Sequence, residues 1–121
     1  MTREDLILAC TSDIAGKVRG KAFPASQLEK RLKRGIGWTP TNVQITCFDN
    51  IAETPFGSLG DLVLIPDQTA MMRLPDDGAP DETLIMGDIR YTDGRPWEFC
   101  TRAILRAALA RAQASGRRGV A

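Results

Sequence analysis

One segment with helical periodicity stands between two groups of strand-like segments, and this order limits the fold more than any other feature of the chain. Ser26 and Glu29 have the spacing of a capping box at the start of the helix. Leu28 and Leu32 follow as an apolar stripe, and Gly35 is expected to end the helix in a left-handed conformation. A single helix between strand pairs buries its stripe best against a sheet. The order therefore predicts an α+β fold in which this helix packs across a mixed sheet.

The strand predictions rest on short apolar or alternating runs that turn-forming residues separate. Two such runs near the N-terminus predict a β-hairpin. A later pair predicts a second hairpin with its turn at Asp67-Gln68, and the segment 36–40 is predicted as a loop. The predicted strands are 6–10, 17–23, 43–47, 62–65, 70–74 and 83–91.

A second helix is predicted from about Cys100 to Ser115, because five apolar residues recur there at helical spacing on one face. These residues are Ile104, Leu105, Ala108, Leu109 and Ala112. With the other elements, this predicts a β-grasp domain over residues 1–121: a mixed twisted sheet, one helix across it and a C-terminal helix.

Basic residues alternate along the predicted strand 17–23, where Lys17, Arg19 and Lys21 share one face. Such a stripe either docks a subunit or a phosphate, or protects an edge strand from aggregation. The pattern by itself allows both interpretations.

The composition excludes several classes of function. The chain has 121 residues, a net charge of +1 and no apolar run long enough to span a membrane, so neither nucleic acid nor a membrane is an expected partner. Its three cysteines are far apart and odd in number, which indicates a reducing, cytoplasmic compartment. The chain contains no histidine, so histidine triads and histidine-ligated zinc are excluded for this chain alone.

Several motifs, taken in order, resemble the N-terminal domain of glutamine-synthetase-type ligases. The resemblance extends over about residues 6–115, and the matching segments are DIAGKVRGK (13–21), GIG (35–37), FD (48–49), GDLVLIPD (60–67), GDIRY (87–91), DGRP (93–96) and TRAIL (101–105).

The resemblance implies a small β-grasp domain that works together with a large catalytic domain absent from these residues. In such ligases the catalytic domain holds ATP, Mg²⁺ or Mn²⁺, and glutamate, so no cofactor is expected on this chain. The subunits form rings, and the N-terminal domain of one subunit completes the active site of its neighbour. The implied function is ATP-dependent ligation of ammonia or an amine to glutamate, with the isolated chain inactive.

The resemblance also assigns site residues in the long segment after Phe48. Asp49 is the implied catalytic residue, which binds the ammonium or amine and aids its deprotonation. Asn50 and Glu53 are the implied substrate-binding residues, and no metal ligand is expected. The segment from Asn50 to Phe56 is bulkier than the small, glycine-rich pattern of ammonia-using members. This departure speaks against ammonia and allows a larger amine bound by Asp49 with Glu53, and the choice between ammonia and a larger amine stays open.

A second interpretation comes from a different class of function. The chain is then a stand-alone β-grasp module that binds another protein through a sheet edge or the C-terminal helix, without catalysis. On this interpretation Asp49 is a turn residue whose carboxylate caps local backbone N–H groups. The residues alone leave open whether the chain is a part or a whole, and whether it self-associates.

Overall fold

The first strand of the chain lies inside the sheet, between its hairpin partner and the last strand. The computed structural model describes residues 4–75, 78 and 81–117, and the predicted α+β fold is confirmed. The strands form one mixed sheet in the order β2-β1-β5-β4-β3. Their bounds are β1 Leu6–Ser12, β2 Val18–Pro24, β3 Ile36–Trp38, β4 Leu62–Leu74 and β5 Glu82–Tyr91.

The N-terminal hairpin is confirmed. Its strands β1 and β2 pair antiparallel, with Ile7 opposite Phe23, and β1 also pairs in parallel with β5. The buried carboxylate of Asp13 closes the turn, because it accepts hydrogen bonds from the backbone N–H of Lys17 (2.9 Å) and from Arg19 Nε (3.2 Å). These bonds hold the two strands in register.

The predicted hairpin between residues 62 and 74 is wrong, since β4 is one continuous strand. Both of its halves pair antiparallel with β5, with an irregularity between Pro66 and Met71. Inside that irregularity the Asp67 carboxylate accepts hydrogen bonds from Thr69 N (3.0 Å) and Thr69 Oγ1 (2.6 Å). The turn-forming residues therefore make a local bulge, because the apolar runs on both sides find the same partner strand.

The segment 36–40 was predicted as a loop, and its first three residues instead form β3. Ile36 lies opposite Leu64 of β4, and Trp38 is buried. Gly35 precedes this strand with φ +70°, and a Cβ there would approach Val63 Cγ2 to 2.5 Å. Only glycine fits between the helix end and β4, which is why the chain can turn directly into an edge strand.

The predicted strand 43–47 is wrong. A 3₁₀ turn covers Pro40–Val43, and an isolated bridge joins Ile45 to Ile51. A strand needs a neighbour along its length, and here the chain pairs only with its own loop.

The first helix, α1 (Leu28–Arg34), is shorter than predicted and has no capping box. Ser26 lies in a preceding 3₁₀ turn, and its hydroxyl donates to the carboxylate of Glu4. Leu28 and Leu32 pack against the core, as the apolar stripe predicted.

The second helix is confirmed as α2 (Thr101–Ala114), but three of the five residues of its predicted apolar face are exposed: Ile104, Leu105 and Ala108. Ile104 is 50% exposed and Leu105 is 53% exposed. The opposite side contacts the sheet through arginines: Arg102 pairs with Asp67 (2.9 Å) and Asp88 (3.2 Å), and Arg106 pairs with Asp88 (2.7 Å). Neither helix of the described chain is long and apolar enough to cross a membrane.

Candidate functional site

The segment between β3 and β4 carries the predicted site residues and makes a tight turn around Asp49. The N–H of Asp49 donates to the carbonyl of Thr46 (3.1 Å), and Thr46 N donates to the carbonyl of Asn50 (2.8 Å). Asp49 has φ +59° and is the one non-glycine residue of the described chain with a positive φ. Aspartate tolerates this left-handed conformation better than most residues do. The turn thus exposes Asp49 at its tip.

The Thr46 hydroxyl stabilises the same turn from inside. Its Oγ1 accepts hydrogen bonds from the backbone N–H groups of Phe48 (3.3 Å) and Asn50 (3.3 Å). The local N–H groups are therefore satisfied by Thr46. This finding argues against the capping role that the alternative interpretation gave to the Asp49 carboxylate.

Gln44 ties the two arms of this loop together. It is buried, and its Nε2 donates to Thr54 Oγ1 (2.5 Å) and to the carbonyl of Gly57 (2.9 Å). Its backbone carbonyl accepts from Ala52 N (3.0 Å). A buried amide with these partners fixes the loop shape, because breaking them would leave polar groups unpaired.

The other two predicted site residues lie on different parts of the loop. Asn50 is exposed and directly follows Asp49 in the turn. Glu53 is also exposed, but it lies beyond the Ile45–Ile51 bridge on the returning arm, next to the Thr54 that Gln44 holds. The structure thus groups Asp49 with Asn50 in the turn and places Glu53 on the returning arm.

An aromatic cluster anchors the C-terminal part of the loop to the sheet. Phe56 packs against Trp97 with ring centroids 5.0 Å apart and against Phe99 at 4.4 Å. Trp97 is 2% exposed and belongs to the hydrophobic core. Edge-to-face and tilted contacts of this kind stabilise beyond the area that they bury. The loop is therefore fixed at both arms, by Gln44 and by Phe56.

Tyr91 and Glu98 form a polar pair beside this cluster. The Tyr91 hydroxyl lies 2.9 Å and 2.8 Å from the two carboxylate oxygens of Glu98. This hydrogen bond raises the pKa of Tyr91. The backbone N–H of Glu98 and the Tyr91 hydroxyl lower the pKa of Glu98. Glu98 is therefore ionised and Tyr91 neutral near pH 7.

Residues 2–97 match the family model of the glutamine synthetase N-terminal domain. The chain belongs to the glutamine synthetase family. The match covers both arms of the Asp49 loop and the whole sheet. It ends at Trp97, so α2 lies beyond it.

Solved structures share this fold. The chain is 39% identical to a novel glutamine synthase homologue, with a TM-score of 0.86 over 95% of this chain and 28% of the homologue. A GmaS complex with ADP matches with 24% identity and a TM-score of 0.70, over 93% of this chain and 24% of that one. Plasmodium falciparum glutamine synthetase matches with 18% identity and a TM-score of 0.68, over 93% of this chain and 20% of that chain.

These comparisons show the fold of a glutamine synthetase N-terminal domain, and the chain spans about a quarter of the length of the relatives it matches. The described residues contain no group of three His, Cys, Asp or Glu side chains that could hold a metal ion.

The sequence interpretation missed the residues that hold the Asp49 turn in place. Gln44 was assigned to a polar, outward-facing position of a predicted strand, in alternation with Val43 and Ile45, so the pattern gave no indication that it would be buried. Thr46 was likewise read as part of the strand. The aromatic cluster had no local signal, because Phe56 and Phe99 are 43 positions apart in the chain (99 − 56).

Proposed function

We propose that this chain is the N-terminal domain of an ATP-dependent ligase that joins ammonia or a larger amine to the γ-carboxylate of glutamate. The family match and the fold support this proposal. The catalytic domain would hold ATP, a divalent metal and glutamate. The neighbouring subunit of a ring-like oligomer would present that domain to the Asp49 loop, in the reducing cytoplasm.

The observation that carries the proposal is the presentation of Asp49. Its backbone is held in a left-handed turn by Thr46, while the loop arms are fixed by Gln44 and Phe56. A carboxylate that is already held at a fixed, exposed position loses little conformational freedom when a second protein surface completes the active site around it. In this proposal that second surface is the neighbour's catalytic domain.

Asp49 would act on the amine in two steps. Its negative charge favours the ammonium form of the incoming nucleophile by Coulomb attraction. ATP would first phosphorylate the γ-carboxylate of glutamate on the catalytic domain. Asp49 would then accept a proton from the nitrogen as the amine attacks this acyl phosphate and phosphate leaves, which is general-base catalysis. Asn50 would bind the amine from the same turn, and Glu53 would contact the distal part of a larger amine.

The test joins this chain to the catalytic domain of the 39%-identical homologue and measures phosphate release with glutamate, ATP and either ammonium or primary amines. We expect Asp49→Asn to lower turnover by about 100-fold or more, the usual range for losing a general base. Asparagine also tolerates a positive φ, so the variant keeps the turn.

The matched control is Asp81→Asn, which removes an exposed carboxylate beside the far end of β5 and should leave turnover unchanged. Phosphate release that is unchanged in Asp49→Asn would overturn the role proposed for Asp49. A larger loss with a bulky amine than with ammonium in Glu53→Gln would support the role of Glu53.

A non-catalytic binding module is the second candidate, and the exposed apolar face of α2 favours it. Ile104 and Leu105 are half exposed there, as expected of a helix that contacts another protein. The length of the coding sequence separates the two functions: several hundred further codons support the ligase, whereas a stop codon near Ala121 supports the module.

A further inference from the structure

A cavity of about 460 Å³ lies between the C-terminal arm of the loop and the end of β5. Asp49 is not among the residues that line it. Four aromatic side chains and two carboxylates contribute to its walls. These are Phe56, Tyr91, Trp97, Phe99, Asp61 and Glu98.

The lining of this cavity is acidic. Asp61 and Glu98 are its charged residues, and neither lysine nor arginine lines it. The guanidinium of Arg95 lies 4.9 Å from the centroid of the Tyr91 ring, but its charge is paired with Asp93 at 2.7 Å. The charges around the cavity therefore leave an excess of negative charge, which repels anions and favours a cation.

The apolar part of the lining adds a second requirement for the ligand. Leu59 is 90% exposed at the cavity wall, so a hydrocarbon group placed there would remove apolar surface from water. Aromatic faces attract organic cations through their quadrupole. Arg95 already lies over the Tyr91 ring and Trp97 is buried, so Phe56 and Phe99 are the lining rings that remain for a ligand. The volume lies in the range of small-molecule sites.

We propose that this cavity binds a small organic ammonium ion, with its nitrogen beside Glu98 and Asp61 and its hydrocarbon part against Phe56 and Leu59. The site is separate from the reaction proposed at Asp49 and does not depend on it. Bare ammonium would leave the apolar wall uncovered, so the site selects amines that carry carbon substituents.

The test titrates the chain with choline and with 3,3-dimethylbutan-1-ol, which has the same shape without the charge. Calorimetry measures affinity, and the indole N–H signal of Trp97 in NMR spectra reports the location, with Trp38 as the internal reference. We expect choline to shift the Trp97 signal and to bind at least about tenfold more tightly than the alcohol. Absence of choline binding, or equal binding of the alcohol, would overturn the proposal.

Two substitutions test the carboxylates. Glu98→Gln and Asp61→Asn should each weaken choline binding by about fivefold or more. Asp61 is exposed, so Asp61→Asn still tests the proposal if Glu98→Gln disturbs folding. Asp81→Asn is the control and should retain affinity. Asp49→Asn distinguishes this cavity from the Asp49 turn. If choline binding is lost in Asp49→Asn and retained in Glu98→Gln and Asp61→Asn, choline binds at Asp49 and this inference is overturned.

Discussion

Lys21 Nζ on β2 donates a 2.6 Å hydrogen bond to the carbonyl oxygen of Gly37 on β3, although these strands are the two opposite edges of the sheet. In a flat sheet, strands about 4.8 Å apart would place these edges roughly 19 Å from each other. The same Nζ lies 5.7 Å from the centroid of the Trp38 ring. The sheet therefore curls strongly enough to bring its edges together, and Lys21 joins them across the buried Trp38.

This contact also bears on the basic stripe of β2. Arg19 pairs with the buried carboxylate of Asp13, and Lys21 reaches Gly37, so two of the three cations have partners within the domain. β2 is an edge strand, as one of the two interpretations expected. The stripe therefore serves the fold, and we assign no docking role to it.

We predict that Lys21→Met lowers the free energy of unfolding by up to about 1 kcal/mol, because the edge-to-edge hydrogen bond and the contact with Trp38 are lost. Urea unfolding followed by tryptophan fluorescence measures the change. Lys17→Met, in the turn just before β2, is the control and should unfold at the wild-type urea concentration. Equal midpoints for both variants would show that the edge contact contributes nothing.

The buried Asp88 is predicted to be the main attachment of α2. Asp88→Asn leaves Arg102 and Arg106 without their common anionic partner, and we expect a loss of about 2 kcal/mol in the free energy of unfolding. The control is Asp81→Asn, whose pair with Arg73 is exposed and should contribute little. A loss in Asp88→Asn no larger than in Asp81→Asn would contradict this assignment.

Asp67 should make stability depend on pH. The hydroxyl of Thr69 and the guanidinium of Arg102 lower the pKa of Asp67 from 3.8 to about 2. A carboxyl with a lowered pKa in the folded state stabilises above its unfolded pKa and loses that contribution as the pH falls through the folded value. The difference in free energy of unfolding between wild type and Asp67→Asn should therefore be largest above pH 3.8 and decrease as the pH falls towards about 2. Urea unfolding across this range measures it, and a constant difference would contradict the prediction.

Gln44 is predicted to control the mobility of the Asp49 loop. Gln44→Leu removes the hydrogen bonds to Thr54 and Gly57, so the amides of residues 46–58 should exchange with deuterium about tenfold faster. Gln68→Leu, at an exposed position of β4, is the control and should leave the exchange of this loop unchanged. Unchanged loop exchange in Gln44→Leu would show that the aromatic cluster alone holds the loop.

The parts of the fold that could be predicted are those whose residue pattern lies within a single strand, hairpin or helix. The N-terminal hairpin, β5 and α2 were all predicted near their observed bounds, because their apolar periodicity reflects their own backbone geometry. The resemblance in motifs was confirmed as family membership. The roles of Asp49, Asn50 and Glu53 stay predictions, and the structure adds the turn that presents the first of them.

Errors arose where a distant partner overrides a local signal. The turn-forming Asp67-Gln68 became a bulge because β5 pairs with both halves of β4. The alternating residues 43–47 did not form a strand, since Gln44 takes its partners from the returning arm of the loop.

The sequence by itself determined the N-terminal hairpin, β5 and the two helices, and that an aspartate follows Phe48 in a turn-forming segment. Only the tertiary structure decided that α2 turns Arg102 and Arg106 to the sheet and leaves Ile104 and Leu105 exposed. The physical reason is that Asp67 and Asp88 come together at the sheet and pair with Arg102 and Arg106. Those ion pairs join residues 18 and 35 positions apart, beyond the reach of any local periodicity.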